Sequence, residues 1–350
     1  MLQFWMLRPA LLFAARGWLQ PKHGGNTMPK RHPVDFFSEG VRLKGDIFVP
    51  DQLPPGERFP GVVLCHGYTG VKELYLPEHA ARFADAGYIA LIFDYKGWGA
   101  SDAFPAPPSE ANLTDAQTAS VTRGPAHYRN RLAPHSRVAD VQAAVTILAE
   151  HTSVDPDRIA LYGTSYGGAI CTYTAGIDPR VSCLVTLVGV GNGARWMRSV
   201  RTEQEWTEAI DEMRRDRSER TRTGVSAFRD RYDIMYADPE SVALAASARD
   251  QALAAGAVNE IPLSYIDETL EFNADLVLDK ISPRPAMFIT SDNDLLVPPA
   301  ESVALYEAYS GPKELVMLKG YSHYAVYLEP ALSEVMERVL PWFNRWLQKP

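Results

Sequence analysis

The pentapeptide G-T-S-Y-G at residues 163–167 constrains the fold of this chain more than any other feature. An apolar run at residues 158–162 precedes it, and small residues follow at 168–171. This order predicts a strand that turns sharply into a helix, with glycines where a Cβ would clash. A serine at such a turn projects from the sheet with its hydroxyl exposed. We therefore predict that Ser165 is a nucleophile.

Two later apolar runs end in loops that carry suitable partners for this serine. Residues 285–291 lead into Asp292 and Asp294, and residues 315–318 lead into a loop with His323. A serine hydroxyl is a poor nucleophile until a base accepts its proton and a third group orients that base. His323 is the predicted base, and either aspartate can be the orienting acid. The order Ser, Asp, His is that of the α/β-hydrolases and not of the chymotrypsin or subtilisin folds.

Four stretches make the resemblance explicit: C-H-G-Y-T-G at 65–70, F-D-Y-K-G-W-G-A-S-D at 93–102, the serine turn, and the two later loops. The chain resembles a serine hydrolase of the α/β-hydrolase superfamily. It is most similar to the branch of dienelactone-hydrolase-like esterases, feruloyl-type esterases and X-Pro dipeptidyl-peptidase relatives. The resemblance implies an α/β fold with a mostly parallel eight-stranded sheet, flanking helices and a helical lid insertion. It also implies that no cofactor is required.

The resemblance implies roles for particular residues. The family acid stands directly before x-x-Val-Pro, which selects Asp294 over Asp292, although Ser291 stands where the family usually has glycine. The backbone N–H of Tyr166 is one predicted donor of the oxyanion hole. Tyr68 is the other, through its backbone N–H or, as in X-Pro relatives, through its hydroxyl.

The expected organisation has four parts: an N-terminal extension at 1–32, core at 33–192, a helical lid at 193–279 and core again at 280–350. In the lid, Trp206, Ile210 and Met213 recur at the spacing of one helix face. That face either packs on the core or roofs the substrate pocket. Trp98 likewise either lines the pocket or serves packing.

The net charge of the chain limits the classes of partner that it can bind. A net charge of −8 without a basic block argues against nucleic acid and anionic membranes as partners.

Residues 1–27 are expected to be non-essential, with a weak anchor or an export signal as alternatives, because Arg8 and Pro9 interrupt their short apolar run. Three cysteines without framework spacing favour reduced thiols and a cytoplasmic location, and no Cys/His cluster has metal-ligand spacing.

The leading predicted reaction is hydrolysis of a small-molecule carboxylic ester through a Ser165 acyl-enzyme. Thioester, amide or peptide cleavage and acyl transfer use the same residues and stay open. Halide and epoxide chemistry is disfavoured, because those relatives place aspartate at the elbow. A non-catalytic binding protein would have a damaged triad, and this triad is complete. A homodimer is an open alternative to a monomer.

Overall fold

The computed structural model describes residues 29–103 and 129–347. Ten strands are present in these residues: β1 Lys30–Ser38, β2 Val41–Val49, β3 Phe59–Cys65, β4 Ile89–Phe93, β5 Val154–Thr164, β6 Val181–Leu187, β7 Phe228–Asp230, β8 Glu260–Pro262, β9 Ala286–Ser291 and β10 Lys313–Leu318. Eight of them form one sheet in the order β1-β2-β4-β3-β5-β6-β9-β10. Strand β2 runs antiparallel to both β1 and β4, and all other neighbours are parallel. The prediction of a mostly parallel eight-stranded sheet is confirmed.

Twelve α-helices occur in the described residues: α1 Leu76–Asp85, α2 Pro134–Ala149, α3 Tyr166–Ile177, α4 Gly193–Ser199, α5 Glu203–Thr223, α6 Arg231–Met235, α7 Pro239–Ser247, α8 Arg249–Ala254, α9 Ser264–Glu271, α10 Leu278–Ile281, α11 Ala300–Ala308 and α12 Ala331–Leu347. Short 3₁₀ helices add Ala274–Val277 and Ala325–Tyr327. None of the helices in these residues is long and apolar enough to cross a bilayer.

The central strands are apolar along their whole length because helices cover both faces of the sheet. In β3, Val62 and Leu64 face the cluster under α1 and α12, whereas Val63 and Cys65 face the cluster under α2 and α3. The alternation of side chains along a strand divides the two cores in this way. A sheet buried on both faces leaves its strand ends as the place for polar function.

The chain between β6 and β9 carries seven helices, α4 to α10, and the short β7–β8 pair. We call residues 193–281 the insertion. Helix α5 begins at a capping box in which Thr202 and Glu205 bond each other's backbone amides. The helices lie where the sequence predicts a lid, and the strand pair was not predicted. The division into core and lid stays a prediction.

The predicted start of the core, at residue 33, was slightly too late in the chain. Strand β1 begins at Lys30, and Lys30, Arg31 and His32 pair with β2. The core therefore starts before residue 33, because a hairpin partner extends the strand beyond its apolar part. Residues 1–28 lie outside the described residues.

Buried His79 on α1 predicts an acid-sensitive fold. Burial lowers the pKa of His79 to about 4, and the charge of Arg82 adds to this effect. Its ring lies 3.1 Å from the Tyr162 hydroxyl and 3.3 Å from the Tyr327 carbonyl, which suits a neutral imidazole that accepts one bond and donates the other.

Stability from His79 is therefore present above pH 6.5 and is lost as the pH falls toward 4, since only the unfolded chain gains the proton. We expect the stability advantage of the wild type over His79→Gln to shrink by about 2 kcal/mol between pH 7 and pH 5. Urea unfolding at each pH measures it. His32→Gln, at an exposed position, is the control. A constant advantage across this range would contradict the prediction.

Candidate active site

Ser165 sits on a strained turn between β5 and α3. Its backbone has φ 54° and ψ −126°, a conformation that costs a non-glycine residue about 1–3 kcal/mol. A Cβ on Gly163 would overlap the carbonyl of Gly167, and a Cβ on Gly167 would lie 2.6 Å from the His66 carbonyl oxygen. Both positions therefore require glycine, and this steric requirement explains the Gly-x-Ser-x-Gly pattern.

The structure brings the three predicted triad residues together. His323 Nε2 lies 3.0 Å from Ser165 Oγ, and His323 Nδ1 lies 2.7 Å from Asp294 Oδ2. His323 and Asp294 are both almost fully buried, while Ser165 remains partly accessible. In this arrangement Nδ1–H donates to the carboxylate, and Nε2 can accept the serine proton.

The loop after β9 separates the two candidate acids. Asp294 Oδ1 accepts the amides of Leu296 and Val297 at 3.0 and 2.8 Å, which leaves Oδ2 for His323. Asp292 is exposed instead, where it accepts the Gly320 amide and pairs with Lys319. These contacts lower the pKa of Asp292, the Gly320 amide most strongly. Only Asp294 reaches the histidine.

Ser291 ties the two loops of the site together. It is fully buried, and its hydroxyl donates to the Tyr321 carbonyl at 2.6 Å, two residues before His323. The departure from the glycine usual in the resembled family therefore adds a hydrogen bond between the acid loop and the histidine loop.

The loop after β3 passes directly over Ser165. A Cβ on Gly67 would lie 3.0 Å from Ser165 Cβ and 3.4 Å from its Oγ. The Tyr68 hydroxyl is bonded to two groups of α9, since it lies 2.5 Å from Thr269 Oγ1 and 3.3 Å from the Tyr265 carbonyl. Of the two donors proposed for Tyr68, this geometry favours the backbone N–H. Tyr166 opens α3, and an amide in the first turn of a helix has no intrahelical partner.

Arg137 holds this loop from behind, a role that the sequence did not indicate. Its guanidinium donates to the carbonyls of Gly67 and Tyr68, at 3.3 and 3.0 Å. It lies between the rings of Tyr95 and Trp98, at 4.7 and 5.0 Å from their centroids. A carbonyl held on one side of a peptide directs the amide of that unit to the other side.

Of the two interpretations of Trp98, the structure favours packing. The side chain is fully buried, its Nε1 donates to the Arg131 carbonyl, and it does not line the cavity beside Ser165. Its contact with Arg137 makes it a support of the loop after β3.

Trp206 does not line the cavity either. With Ile210 and Met213 it packs against the main hydrophobic cluster, and Arg198 lies 5.9 Å from its ring centroid. Trp196 on α4 lines the cavity instead, and its Nε1 donates to the Leu296 carbonyl at 2.7 Å. Helical spacing identifies an apolar face but not the surface that it meets.

His66 lines the cavity but is poorly placed for proton transfer. Burial, with a contribution from Arg137, lowers its pKa to about 3. Its Nδ1 lies 3.2 Å from the Gly67 carbonyl and its ring packs on Tyr95 at 4.5 Å. His66 is therefore neutral and braces the loop after β3.

The cavity lies between the sheet edge and the insertion and encloses about 760 Å³ of free space, including its mouth. The core contributes Ser165, His323, Tyr75, Tyr324, Tyr327 and the loop after β3. The insertion contributes seven residues: Trp196, Arg231, Tyr232, Met235, Ala245, Ala252 and Ala257. Within the described residues no group of three or more His, Cys, Asp or Glu side chains is placed to hold a metal.

This sheet order, with a serine turn after β5 and acid and histidine loops after β9 and β10, defines an α/β-hydrolase. The family model described as serine aminopeptidase, S33, matches residues 57–330, and the chain belongs to this family.

Three relatives extend the comparison. An uncharacterized 31.7 kDa Escherichia coli protein in the traX-finO intergenic region is 26% identical, covering 89% of this chain and 98% of its own length. The polyketide transferase grgF of Penicillium is 26% identical over 85% and 90% of the two chains. The thiohydrolase aneE of Aspergillus aculeatus is 21% identical over 87% and 90%.

Two solved structures share the fold. A hypothetical protein from Pseudomonas aeruginosa superposes with a TM-score of 0.72 at 20% identity, covering 92% of this chain and 95% of its own. Est1E from Butyrivibrio proteoclasticus, solved with ferulic acid, has a TM-score of 0.59 at 17% identity, covering 90% and 100%. At these identities the likeness shows the fold alone.

Proposed function

We propose that this protein is a serine hydrolase that cleaves a small carboxylic ester through a Ser165 acyl-enzyme. One observation carries the proposal: the continuous hydrogen-bonded chain from Ser165 Oγ through His323 to Asp294. A serine that merely packs would have no need of a buried histidine and carboxylate in line with its hydroxyl.

The reaction follows from the atoms in place. His323 Nε2 takes the proton as Ser165 Oγ bonds to the acyl carbon, and the imidazolium then gives that proton to the leaving alcohol. Water repeats the sequence on the acyl-enzyme and releases the acid. Asp294 Oδ2 accepts the hydrogen bond from Nδ1–H and stabilises the imidazolium throughout. The carboxylate is held in this orientation because its other oxygen accepts two backbone amides.

The negative charge that develops on the acyl oxygen needs donors placed in advance. We assign this role to the backbone amides of Tyr166 and Tyr68. The Gly67 approach to Ser165 and the Arg137 clamp on the loop carbonyls support the assignment. The insertion, which covers the cavity from above, is proposed to act as the lid and to select substrates.

Thioester cleavage or acyl transfer is the second candidate. The relatives named polyketide transferase and thiohydrolase favour it, and the same acyl-enzyme serves both reactions. Water and an acceptor alcohol compete for that intermediate, so product analysis with and without added alcohols separates hydrolysis from transfer.

A cytoplasmic location is proposed on the three cysteines, which are all free and buried. Cell fractionation of the untagged protein tests this, and recovery in an exported fraction would contradict it.

Ser165→Ala should abolish ester hydrolysis and covalent labelling by a fluorophosphonate while the circular dichroism spectrum stays unchanged. The loss of the nucleophile should reduce kcat by about 10⁴ or more. Mass spectrometry of the labelled wild type should locate the probe on Ser165. Labelling of the alanine variant at another residue would refute the assignment.

Asp294→Asn and Asp292→Asn form a matched pair two residues apart. Asp294→Asn should lower kcat by about 10⁴, because an amide cannot stabilise the imidazolium and favours the wrong tautomer. Asp292→Asn should lower it less than about threefold, since the contacts of that carboxylate within the described residues are with Gly320 and Lys319. Rates for p-nitrophenyl butyrate measure both, and the reverse ranking would move the acid to Asp292.

Tyr68→Phe distinguishes the two oxyanion donors. If the backbone amide donates, kcat should fall by no more than about threefold, whereas loss of a hydroxyl donor costs about 10²–10³. Thr269→Val is the control, because it removes the same buried hydrogen bond without altering Tyr68. A large loss in Tyr68→Phe alone would assign the hydroxyl.

A further inference from the structure

Arg231 is a buried cation in the wall of the active-site cavity. It is the first residue of α6, only 8% of its surface is exposed, and it lines the same cavity as Ser165 and His323. Its guanidinium donates one hydrogen bond, from Nη2 to the Tyr232 hydroxyl at 2.7 Å. The Nε of Arg231 is buried without any hydrogen-bond partner in the part of the chain that the structure describes.

Two other buried arginines of this protein donate to backbone carbonyls, although the Nε of Arg137 is likewise buried without a hydrogen-bond partner in the described residues. Arg137 donates to the carbonyls of Gly67 and Tyr68, and Arg201 donates to those of Met197 and Ile234. Those guanidinium groups hold backbone in place. Among the described residues, Arg231 donates to no such carbonyl and no Asp or Glu forms an ion pair with it. A buried charge without an anionic partner is costly, so a site that keeps one gains most when an anion binds there.

The charges around Arg231 do not supply that anion. Asp230 faces the backbone, where it caps α6 by accepting the Tyr232 amide at 2.8 Å, and it is exposed. Burial is the main cause that raises the pKa of Tyr232; Asp230 adds to this rise, whereas Arg231 and the exposed Arg249 oppose it. The acidic group near the guanidinium is therefore exposed and occupied by the helix cap, and in the described residues it forms no ion pair with Arg231.

Arg231 shares the cavity wall with tyrosines, and its charge acts on two of them. Burial raises the pKa of Tyr75 to about 12, and the charge of Arg231 opposes this rise. Burial also raises the pKa of Tyr324, the neighbour of His323, and the charge of Arg231 opposes that rise as well. Both tyrosines line the cavity, as does Tyr232, whereas Met235, Ala245 and Ala252 form an apolar wall.

We propose that Arg231 binds a carboxylate carried by the substrate, so that the enzyme prefers esters with an anionic group to their neutral analogues. This inference rests on the proposed function. A single guanidinium with neighbouring hydroxyls matches the charge and the two oxygens of a carboxylate. The apolar wall accommodates the hydrocarbon between that carboxylate and the ester.

The activity test uses two pairs of esters that differ in one charge. The first pair is p-nitrophenyl hemisuberate and p-nitrophenyl octanoate, and the second is the butyrate esters of 4-hydroxybenzoate and of methyl 4-hydroxybenzoate. In at least one pair, kcat/KM of the wild type should favour the anion. Arg231→Gln should reduce that preference by about 10- to 100-fold, mainly through KM, and Arg231→Lys should restore part of it.

Arg249→Gln is the matched control, since it removes the same charge from an exposed neighbouring position outside the cavity wall. It should change the preference by less than about twofold at 0.15 M salt, where exposed charges are screened. Equal effects of Arg231→Gln and Arg249→Gln would overturn the proposal. So would equal kcat/KM values within both pairs, or a stronger preference for the phosphate analogue, 4-(phosphonooxy)phenyl butyrate.

A binding test separates this inference from the proposed reaction. Ser165→Ala protein, which cannot turn over, is titrated with monomethyl suberate and with dimethyl suberate by calorimetry. Tighter binding of the anion, lost when Arg231→Gln is added, supports the site even if the ester panel shows no turnover. Indifference to charge in Ser165→Ala with Arg231 intact would overturn the site, even where Arg231→Gln fails to fold and even where the wild type hydrolyses neutral esters.

Discussion

The site depends on one close backbone contact, where the start of α3 meets the end of β3. Gly167 lies so near the Cys65 and His66 carbonyls that no side chain fits there. This contact allows the turn to hold Ser165 in its strained conformation, and it brings the loop after β3 over the serine. Strain of about 1–3 kcal/mol persists only where the surrounding structure leaves no alternative.

The parallel sheet places the other loops of the site beside that contact. Strands β3, β5, β9 and β10 all run in the same direction, so the loops that follow them meet at one edge. Each loop is then fixed by its own bonds: Arg137 holds the first, and Ser291 links the last two. The insertion covers this edge and contributes both an apolar wall and the cation Arg231. In the proposed function, chemistry and substrate selection thus come from different parts of the chain.

Much of the fold follows from pattern. Continuous apolar runs indicated the buried strands, and the Gly-x-Ser-x-Gly spacing located the turn, because both reflect local geometry. Other assignments depended on contacts between distant residues. Trp206 and Trp98 were candidates for the pocket and instead pack, whereas Trp196 reaches the cavity because α4 meets the loop after β9 at Leu296. Arg137 has no sequence signal, since its partners lie about 70 residues earlier in the chain.

The sequence alone determined the class of fold and the order of Ser165, Asp294 and His323, because strand burial and turn geometry depend on residues that are neighbours in the chain. Only the tertiary structure decided which aromatic side chains line the cavity and which groups bind the Tyr68 hydroxyl. It also placed the positive charge of Arg231 beside them. Those outcomes depend on where the insertion lies on the sheet edge, and side chains far apart in the chain share that surface only after folding.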